Sequence, residues 1–467
     1  MSLLRSFRIL KLNKISSYHT RNFILLYVIY WIFHIYKENW HDAWGFKPTH
    51  LESVIIPCEP VINGTNNKVE MEKARKWTFH FGIVEEELIN SDSSTVCDIV
   101  NKYFYFEKNP LSEEEKTYPL AYGLVVYKSI VQVLLELSIF YHPQNIYCIT
   151  IDRNAVISFQ KTLTMIEKCH PNVKVIIGDK SDWATMGILN NVMKCFDYLT
   201  RSEHPWKYYQ YLAGTDLPIR TNLEMVRIMK ALNDSINTDV DIFDRYRYKT
   251  MKEVVPPLPI YKSSMSVAVP RAAANALINS KKLYTLLNYL NKTIVPDESF
   301  WTTLLGSPKI FNVPGSFAAK KIIWLRHNLQ VPPPDEFSVK NVGTSFIMRY
   351  QVWLWQKACQ GYFKDESCVY GVGDIYEVSR RPEVVAHKFY LEYEPAAFMC
   401  LLKEIRRRSH QNSDFDATSY SEMPTVEIKS GKQIHELKHP DWIVQSSFYV
   451  HPSRRHLKND ENLNELI

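Results

Sequence analysis

Glycine is scarce in this sequence of 467 residues. It contributes 14 of them, about 3%, against roughly 7% in an average protein. Neither glycine-rich phosphate loop, GxGxxG or GxxxxGK[ST], occurs. If the protein binds a nucleotide, it does so without a loop of these two classes.

A concentrated basic surface is also missing. Lys and Arg number 56 and Asp and Glu number 50, and the excess of 6 positive charges is spread along the chain. Nucleic-acid binding is therefore not predicted. The apolar fraction of 46% excludes a disordered chain, and the length suffices for one large domain or two ordinary ones.

The N-terminal residues combine a basic arm with an apolar run. Residues 23–36 (FILLYVIYWIFHIY) are uncharged and end at Lys37. This run is shorter than the roughly 20 residues that span a typical bilayer, but flanking aromatic and lysine side chains adapt short runs to thin membranes. A cleaved signal peptide and a buried core helix are the alternatives, and no small-x-small cleavage site follows. We interpret residues 22–37 as an uncleaved signal-anchor.

An anchor of this kind would place residues from about 40 onward in the lumen of the secretory pathway. Disulfide bonds form there, and the chain has eight cysteines, although composition alone leaves their state open. The sequons at Asn63, Asn233 and Asn291 are compatible with glycosylation in the same compartment.

The chain divides further by composition. We predict a cytosolic basic tail at residues 1–21, a stem or N-terminal arm at 38–75, and a globular lumenal domain at 76–403. Residues 404–467 are mostly polar, which predicts a C-terminal tail with at most marginal structure.

In the globular part, short apolar runs alternate with amphipathic stretches. The runs predict strands at 122–128, 145–152, 173–179 and 208–214. The amphipathic stretches predict helices at 158–169, 186–199 and 222–232. This alternation is typical of an α/β fold with a largely parallel sheet and helices on both faces.

Ligands of such sheets bind beyond the carboxyl ends of the strands. Asp152 and Asp216 each follow an apolar run closely. Both are expected either to face a cleft at that edge or to cap a turn or a helix.

Motifs of other enzyme classes are absent or poorly placed. Neither a GxSxG nucleophile motif nor a CxxC metal-binding pair occurs. A DxD motif, by which many nucleotide-sugar enzymes hold a divalent metal, lies at Asp239-Val240-Asp241. It follows the polar stretch NDSINT rather than an apolar strand. We interpret it as a chance match or a solvated turn, and no metal site is predicted.

Two segments carry more specific signals. Residues 295–304 (VPDESFWTTL) predict the start of a helix, because proline and acidic residues are favoured in a first turn. That role accounts for Asp297, whereas Glu298 becomes a candidate general base if its carboxylate faces a cleft. The second segment is CVYGVGD at 368–374, which continues to AHKF at 386–389.

Five blocks of the chain resemble, in order, the core-2/I-branching β-1,6-N-acetylglucosaminyltransferases and, more distantly, the protein xylosyltransferases. The blocks are YCITIDRNA (147–155), AGTDLPIRTNLEMVR (213–227), PDESFWTTL (296–304), CVYGVGD (368–374) and AHKF (386–389). The resemblance covers residues 58–403. It implies a type II Golgi membrane protein with a GT-A-type α/β domain in the lumen.

The resemblance also implies an activity. The enzyme would be an inverting transferase that uses a UDP-sugar, first of all UDP-N-acetylglucosamine, without a metal ion or other cofactor. Its product would be a β-1,6 branch on a galactose- or GalNAc-containing O-glycan of a glycoprotein. The alternatives are another donor such as UDP-glucose or UDP-xylose, another acceptor, or a lumenal glycan-binding protein without turnover.

Roles for single residues on the donor side follow from the same resemblance. Glu298 would be the general base that deprotonates the acceptor's 6-hydroxyl, Asp152 would contact the uridine end of the donor, and Lys388 would bind its diphosphate. A family arginine three residues before the cysteine of CVYG is replaced by Asp365. The adjacent Lys364 is the nearest substitute, although lysine lacks the bidentate fork of arginine.

On the acceptor side, Asp239 stands where the family has a glutamate that binds acceptor hydroxyls. Trp353 and Trp355 fall in a block whose aromatic residues stack on sugar. The basic pair of the family has no clean match here, only Arg245, Arg247 and Lys249.

The eight cysteines match positions that are paired in the family. This implies four bridges: Cys58–Cys400, Cys97–Cys169, Cys148–Cys195 and Cys359–Cys368. The spacing of eight cysteines alone allows 105 connectivities and could not have chosen among them.

Overall fold

The computed structural model describes residues 51–248, 254–329, 342–411 and 414–446. The predicted cytosolic tail (1–21) and signal-anchor (22–37) lie outside these ranges. Within them, no helix is both long enough and apolar enough to cross a membrane.

Short and medium strands recur along the described chain. They are β1 Leu120–Val126, β2 Ile146–Ile151, β3 Val173–Ile177, β4 Tyr208–Ala213, β5 Asp216–Pro218, β6 Asn237–Thr238, β7 Asp241–Ile242, β8 Tyr261–Lys262, β9 Val267–Pro270, β10 Tyr350–Gln351, β11 Tyr362–Lys364, β12 Ser367–Val369 and β13 Val385–His387.

Helices precede, separate and follow these strands. They are α1 Glu59–Asn63, α2 Lys68–Arg75, α3 Gly82–Ile89, α4 Val96–Tyr103, α5 Glu113–Thr117, α6 Ile130–Phe140, α7 Ile157–Ile166, α8 Met186–Arg201, α9 Asn222–Ala231, α10 Arg271–Ile278, α11 Lys281–Leu290, α12 Phe300–Leu305, α13 Ala319–Asn328, α14 Ile375–Arg380, α15 Pro395–Ser409, α16 Pro424–Lys429 and α17 Asp441–Ser446. Single 3-10 turns include Arg245–Tyr248 and Pro296–Ser299.

The central sheet has the strand order β3-β2-β1-β4-β9-β6. The first four strands are parallel, whereas β9 and β6 run antiparallel to their neighbours. The strands β1 to β4 are the four predicted apolar runs, and α7, α8 and α9 are the three predicted helices. The prediction of an α/β fold with a largely parallel sheet is therefore confirmed, and this architecture is consistent with a GT-A-type fold.

Side chains alternate between two apolar clusters on opposite faces of this sheet. Tyr122, Leu124 and Val126 of β1 belong to one cluster, whereas Ala121 of the same strand belongs to the other. Because both faces are covered, β1 reads as a continuous apolar run rather than an alternating one.

All four predicted disulfide bonds are present. They join Cys58 to Cys400, Cys97 to Cys169, Cys148 to Cys195 and Cys359 to Cys368, with Cα–Cα distances of 5.1 to 5.7 Å. The first bridge links the start of α1 to α15 across 342 residues of sequence. It attaches the N-terminal arm directly to the end of the predicted domain.

Removing this long-range bridge is expected to destabilise the protein. In a Cys58→Ala/Cys400→Ala variant, the free energy of unfolding should fall by about 2–4 kcal/mol, because a large closed loop is released in the unfolded chain. Thermal unfolding measures the effect. The matched control is Cys359→Ala/Cys368→Ala, which opens a loop spanning only 9 residues and should cost less. A larger loss in the control would contradict the prediction.

The segment after residue 404 differs from the marginally structured tail that its composition predicts. α15 continues to Ser409, and α16 and α17 follow it. Tyr420, Met423, Trp442 and Ile443 are buried, with at most 3% of their surface exposed. A few well-spaced apolar residues therefore suffice to pack this polar segment onto the domain, a result that average polarity does not predict.

The predicted N-terminal arm is also packed rather than extended. Within residues 51–75, Val61 of α1 and Ala74 of α2 are fully buried. The asparagines of the three sequons, in contrast, are all exposed.

Candidate active site

The candidate site lies at the carboxyl ends of the parallel strands. The amide of Asp152, after β2, donates to the carbonyl of Val126 at the end of β1, with an N···O distance of 2.9 Å. The amide of Gly214, after β4, donates to the carbonyl of Val125 at 3.3 Å. Parallel sheets bind ligands beyond this edge.

Asp152 is 7% exposed and forms a turn at this edge. Its Oδ1 accepts hydrogen bonds from the amides of Asn154 at 2.7 Å and Ser181 at 3.4 Å. The turn-capping role expected for it is therefore confirmed. The same carboxylate joins the end of β2 to the loop after β3.

Asp216, for which a place in the cleft and a capping role were both expected, does not face the cleft. It is fully buried and accepts hydrogen bonds from Arg349 at 2.8 Å and from the amide of Ala213 at 2.8 Å, and its Oδ1 lies 2.7 Å from Nδ1 of His387. Burial favours its protonated form, but Arg349 and His387 together hold the pKa of Asp216 below its usual range. The aspartate positions β13, which it contacts through His387.

His387 immediately precedes Lys388, the predicted diphosphate ligand. Burial, together with repulsion from Arg349, lowers the pKa of His387 to about 4, although Asp216 opposes that shift. The imidazole is therefore neutral at physiological pH, so His387 adds no positive charge beside Lys388.

Lys388 is buried, with 6% of its surface exposed. Its Nζ donates to the carbonyl oxygen of Lys364 at 2.7 Å and lies 3.9 Å from Oδ2 of Asp365. Burial lowers the pKa of Lys388, and the nearby Lys364 acts in the same direction while Asp365 opposes it. The structure thus brings the two lysines predicted from sequence together.

A β-hairpin holds Lys364 and Asp365 in place. Strands β11 and β12 pair with Lys364 opposite Ser367, which leaves Asp365 and Glu366 as a two-residue loop. Both loop residues have positive φ angles, 49° and 61°, as a type I′ turn requires. The Asp365 side chain is 78% exposed. It can therefore turn into solvent and leave Lys388 to contact a ligand.

Glu298 lies in the 3-10 turn before α12, with 32% of its side chain exposed. Its Oε2 accepts a hydrogen bond from Nη2 of Arg247 at 2.6 Å and lies 4.0 Å from Nζ of Lys262. Two cations therefore lie next to a carboxylate that is partly exposed, as a general base must be to reach its substrate.

Arg247 is the residue whose role the sequence did not reveal. The resemblance gives it only as an imperfect match to a basic pair of the family. In the structure, its buried guanidinium donates a hydrogen bond to Glu298, which lies 51 residues away. Burial opposes its charge, yet Glu298 raises the pKa of Arg247. No local pattern marks such a pairing. Lys249, another residue of that region, lies outside the described residues.

The neighbouring Asp297 faces the protein interior. Its surface is 8% exposed, and its Oδ1 has no hydrogen-bond partner within the described ranges. Burial and the adjacent Glu298 charge raise the pKa of Asp297 to about 7. The two acids of this segment therefore differ in environment, and Glu298 is the accessible one.

The loop after β3 connects the Glu298 turn with Asp152. The carbonyl of Ala184 accepts a hydrogen bond from the amide of Val295 at 3.2 Å, while Ser181 of the same loop donates to Asp152. Glu298 and Asp152 thus belong to one edge of the domain.

The DxD motif is not the solvated turn that its flanking residues predict. Nη2 of Arg326, whose side chain is 2% exposed, lies 3.4 Å from Oδ1 of Asp239, and Nη1 lies 4.0 Å from Oδ2 of Asp241. Nε2 of His327 lies 3.8 Å from Oδ1 of Asp241. A guanidinium therefore occupies the space between the two carboxylates in which a DxD metal would bind.

Close clusters of other metal ligands are few among the described residues. In the described part of the chain, one set of three lies close together, Cys359, Cys368 and Asp374, but the two cysteines form a disulfide. The sequence also contains an HExxH pattern at 435–439. Its first residues form a 3-10 turn ending at Glu436, so its histidines do not share an α-helical face as in zinc proteases.

Trp353 and Trp355, the predicted sugar-stacking residues, stack on each other. Their ring centroids are 5.3 Å apart and their planes differ by 2°. Hydrogen bonding between the amide of Leu354 and the carbonyl of Glu366, at 2.8 Å, attaches this pair to the hairpin that carries Lys364. The pair therefore lies beside the lysines.

Comparisons with known proteins relate the chain to glycosyltransferases. A family model described as Core-2/I-Branching enzyme matches residues 120–350. A beta-1,3-galactosyl-O-glycosyl-glycoprotein beta-1,6-N-acetylglucosaminyltransferase of bovine herpesvirus 4 (strain DN-599) is 26% identical over 385 residues, covering 75% of this chain and 80% of the viral protein. The human protein with that name is 26% identical over 387 residues, covering 76% of this chain and 86% of its own. Residues 120–350 thus match the core-2/I-branching enzyme family, and the chain is a glycosyltransferase.

Proposed function

We propose that the protein transfers N-acetylglucosamine from UDP-N-acetylglucosamine to a galactose- or GalNAc-containing O-glycan, in β-1,6 linkage and with inversion. The names of its relatives support this donor, acceptor and linkage. The observation that carries the proposal is the arrangement of Glu298. It is a partly exposed carboxylate held by a buried arginine and linked through one loop to Asp152.

In the proposed reaction, Glu298 accepts the proton of the acceptor's 6-hydroxyl as that oxygen attacks the anomeric carbon. The bond from that carbon to the UDP oxygen breaks on the opposite face. Lys388 and Lys364 then stabilise the negative charge that grows on the leaving diphosphate. Asp152 contacts the uridine end of the donor.

The acceptor would bind beside these groups. Trp353 and Trp355 would stack on its sugar rings, and Asp239 would accept hydrogen bonds from its hydroxyls. Thr302 of α12 donates to the backbone carbonyl of Asp239 at 2.6 Å. This bond supports a common acceptor side for Asp239 and Glu298, because α12 directly follows the Glu298 turn.

A panel of donors and acceptors tests the proposal. The full chain, purified from a secretory host, is offered UDP-N-acetylglucosamine, UDP-glucose and UDP-xylose with Galβ1-3GalNAc and lactosamine acceptors, and NMR determines the product linkage. We expect a β-1,6-linked N-acetylglucosamine. Glycan binding without transfer from any donor would instead indicate a binding protein without turnover.

One contact favours a second candidate function, in which the enzyme uses a different donor. Asp365, in place of the family arginine, puts a carboxylate 3.9 Å from the Nζ of Lys388 and so weakens the positive field there. Transfer from UDP-glucose or UDP-xylose in preference to UDP-N-acetylglucosamine would support this alternative.

Activity without a metal ion is part of the proposal. We expect activity in EDTA to equal that in Mg²⁺ or Mn²⁺, because Arg326 already neutralises the DxD carboxylates. The measurement is the initial rate after dialysis against chelator, with and without added Mn²⁺. Loss of activity in EDTA that Mn²⁺ restores would contradict it.

We also propose a location in the Golgi membrane, with residues 22–37 as the anchor and the described domain in the lumen. Four disulfide bonds support an oxidising compartment. The exposed sequon asparagines Asn63, Asn233 and Asn291 support the same side of the membrane.

A further inference from the structure

Three lysines from separate parts of the chain surround the ring of Tyr390. The distance from Nζ to the ring centroid is 4.9 Å for Lys364, 5.1 Å for Lys128 and 5.9 Å for Lys388. All three lie within the distance at which an ammonium is attracted to the face of an aromatic ring. The ring attracts each of the three like charges, which still repel one another.

The acids nearby do not balance this cluster. Asp365 lies 3.9 Å from Nζ of Lys388, and Glu392 is close enough to act on Tyr390. Both acids are exposed, so water weakens their attraction for the lysines. The site keeps a net positive charge, which an anionic ligand would neutralise.

Tyr390 is held rigidly between the strands and α6. The side chain of Gln132, in α6, donates to the carbonyls of Gly214 and Phe389 at 2.9 and 3.1 Å, and it accepts from the amide of Leu391 at 2.8 Å. The residues on both sides of Tyr390 are thus fixed to the end of β4. A fixed ring gives the three flexible lysine side chains a common position.

Lys128 approaches this ring from the sheet edge. It follows the end of β1 by two residues and is half-buried. Val126, the last residue of β1, accepts the amide hydrogen bond of Asp152 at 2.9 Å. Lys128 therefore lies between the position proposed for the uridine, at Asp152, and the position proposed for the diphosphate, at the Tyr390 ring.

We propose that Lys128 is a third cation of the diphosphate site, acting with Lys364 and Lys388 around the Tyr390 ring. This inference rests on the proposed function, which supplies the UDP-sugar. A diphosphate carries several negative charges, and without a metal ion these must be met by fixed cations. Lys128 supplies the positive charge missing where Asp365 replaces an arginine.

Binding of UDP and of uridine to the full chain, measured by calorimetry, tests the proposal. Lys128→Gln is expected to weaken UDP binding about 10-fold, the loss of one charge-assisted contact, and to leave uridine binding unchanged. Lys128→Arg should restore most of the UDP affinity. The matched control is Lys207→Gln, which removes an exposed lysine just before β4, at the opposite end of the sheet.

An unchanged UDP affinity in Lys128→Gln would overturn the inference and leave the proposed function standing. A wild-type protein that binds UDP no better than uridine would overturn it as well. Conversely, UDP binding that depends on Lys128 in a protein that transfers no sugar would support the inference and refute the proposed function. Equal losses of UDP and uridine affinity would indicate a structural role for Lys128 and overturn the inference.

Discussion

Replacing Glu298 with glutamine is expected to remove nearly all transferase activity, with kcat falling about 10²–10⁴-fold. The amide keeps the size of the carboxylate, and its oxygen can still accept the 2.6 Å hydrogen bond from Arg247. It cannot accept the proton of the attacking hydroxyl. Because the side chain is partly exposed, the substitution leaves no buried cavity.

The measurement is kcat with saturating donor and acceptor, together with thermal unfolding. The matched control is Glu167→Gln. That carboxylate is 30% exposed and pairs with Lys174 at 2.8 Å, a similar environment outside the site. Normal turnover in Glu298→Gln would exclude it as the base. A loss of UDP binding as large as the loss of kcat would indicate a positioning role.

Lys388→Gln is expected to reduce kcat/KM for the donor about 10²–10³-fold, comparable to the loss of one oxyanion donor elsewhere. The ammonium lies at the proposed leaving group, and its anchor on the carbonyl of Lys364 holds it in position. Neutral glutamine would stabilise the departing diphosphate far less.

The fold should tolerate this change. Burial lowers the pKa of Lys388, so the charged form is less favoured in the folded than in the unfolded protein. The charge thus opposes folding at neutral pH, and a neutral side chain removes that cost. This gain offsets the loss of the hydrogen bond to the Lys364 carbonyl, so thermal stability should not fall, and Lys388→Arg is the variant that keeps the charge. A kcat/KM equal to that of the wild type would exclude Lys388 from leaving-group stabilisation.

The sequence predicts the elements that carry the site better than the contacts within it. β1, β2 and β4 appear as apolar runs because both faces of each strand are covered. The five family blocks fall on the segments that hold Asp152, Glu298 and Lys388. The cysteine pairing came from the resemblance, since spacing could not provide it.

Contacts between distant segments escape this kind of reasoning. The flanking residues of the DxD motif predict a solvated turn. Instead, the guanidinium of Arg326, 87 residues away, contacts the carboxylate of Asp239. Because Asp216 follows a strand, the cleft is one of its two expected positions, but Arg349, 133 residues away, covers it. Each outcome depends on which cation the fold brings beside an acid, and one-dimensional patterns do not record that.

The Cys58–Cys400 bridge also decides how the domain bears mechanical load. Any tension applied to the chain on the N-terminal side of Cys58 passes through the covalent bond into α15, because that path is far stiffer than the 342 residues between the two cysteines. The central sheet and the lysine cluster lie inside the closed loop. They would carry none of a pull applied between the chain before Cys58 and the chain after Cys400.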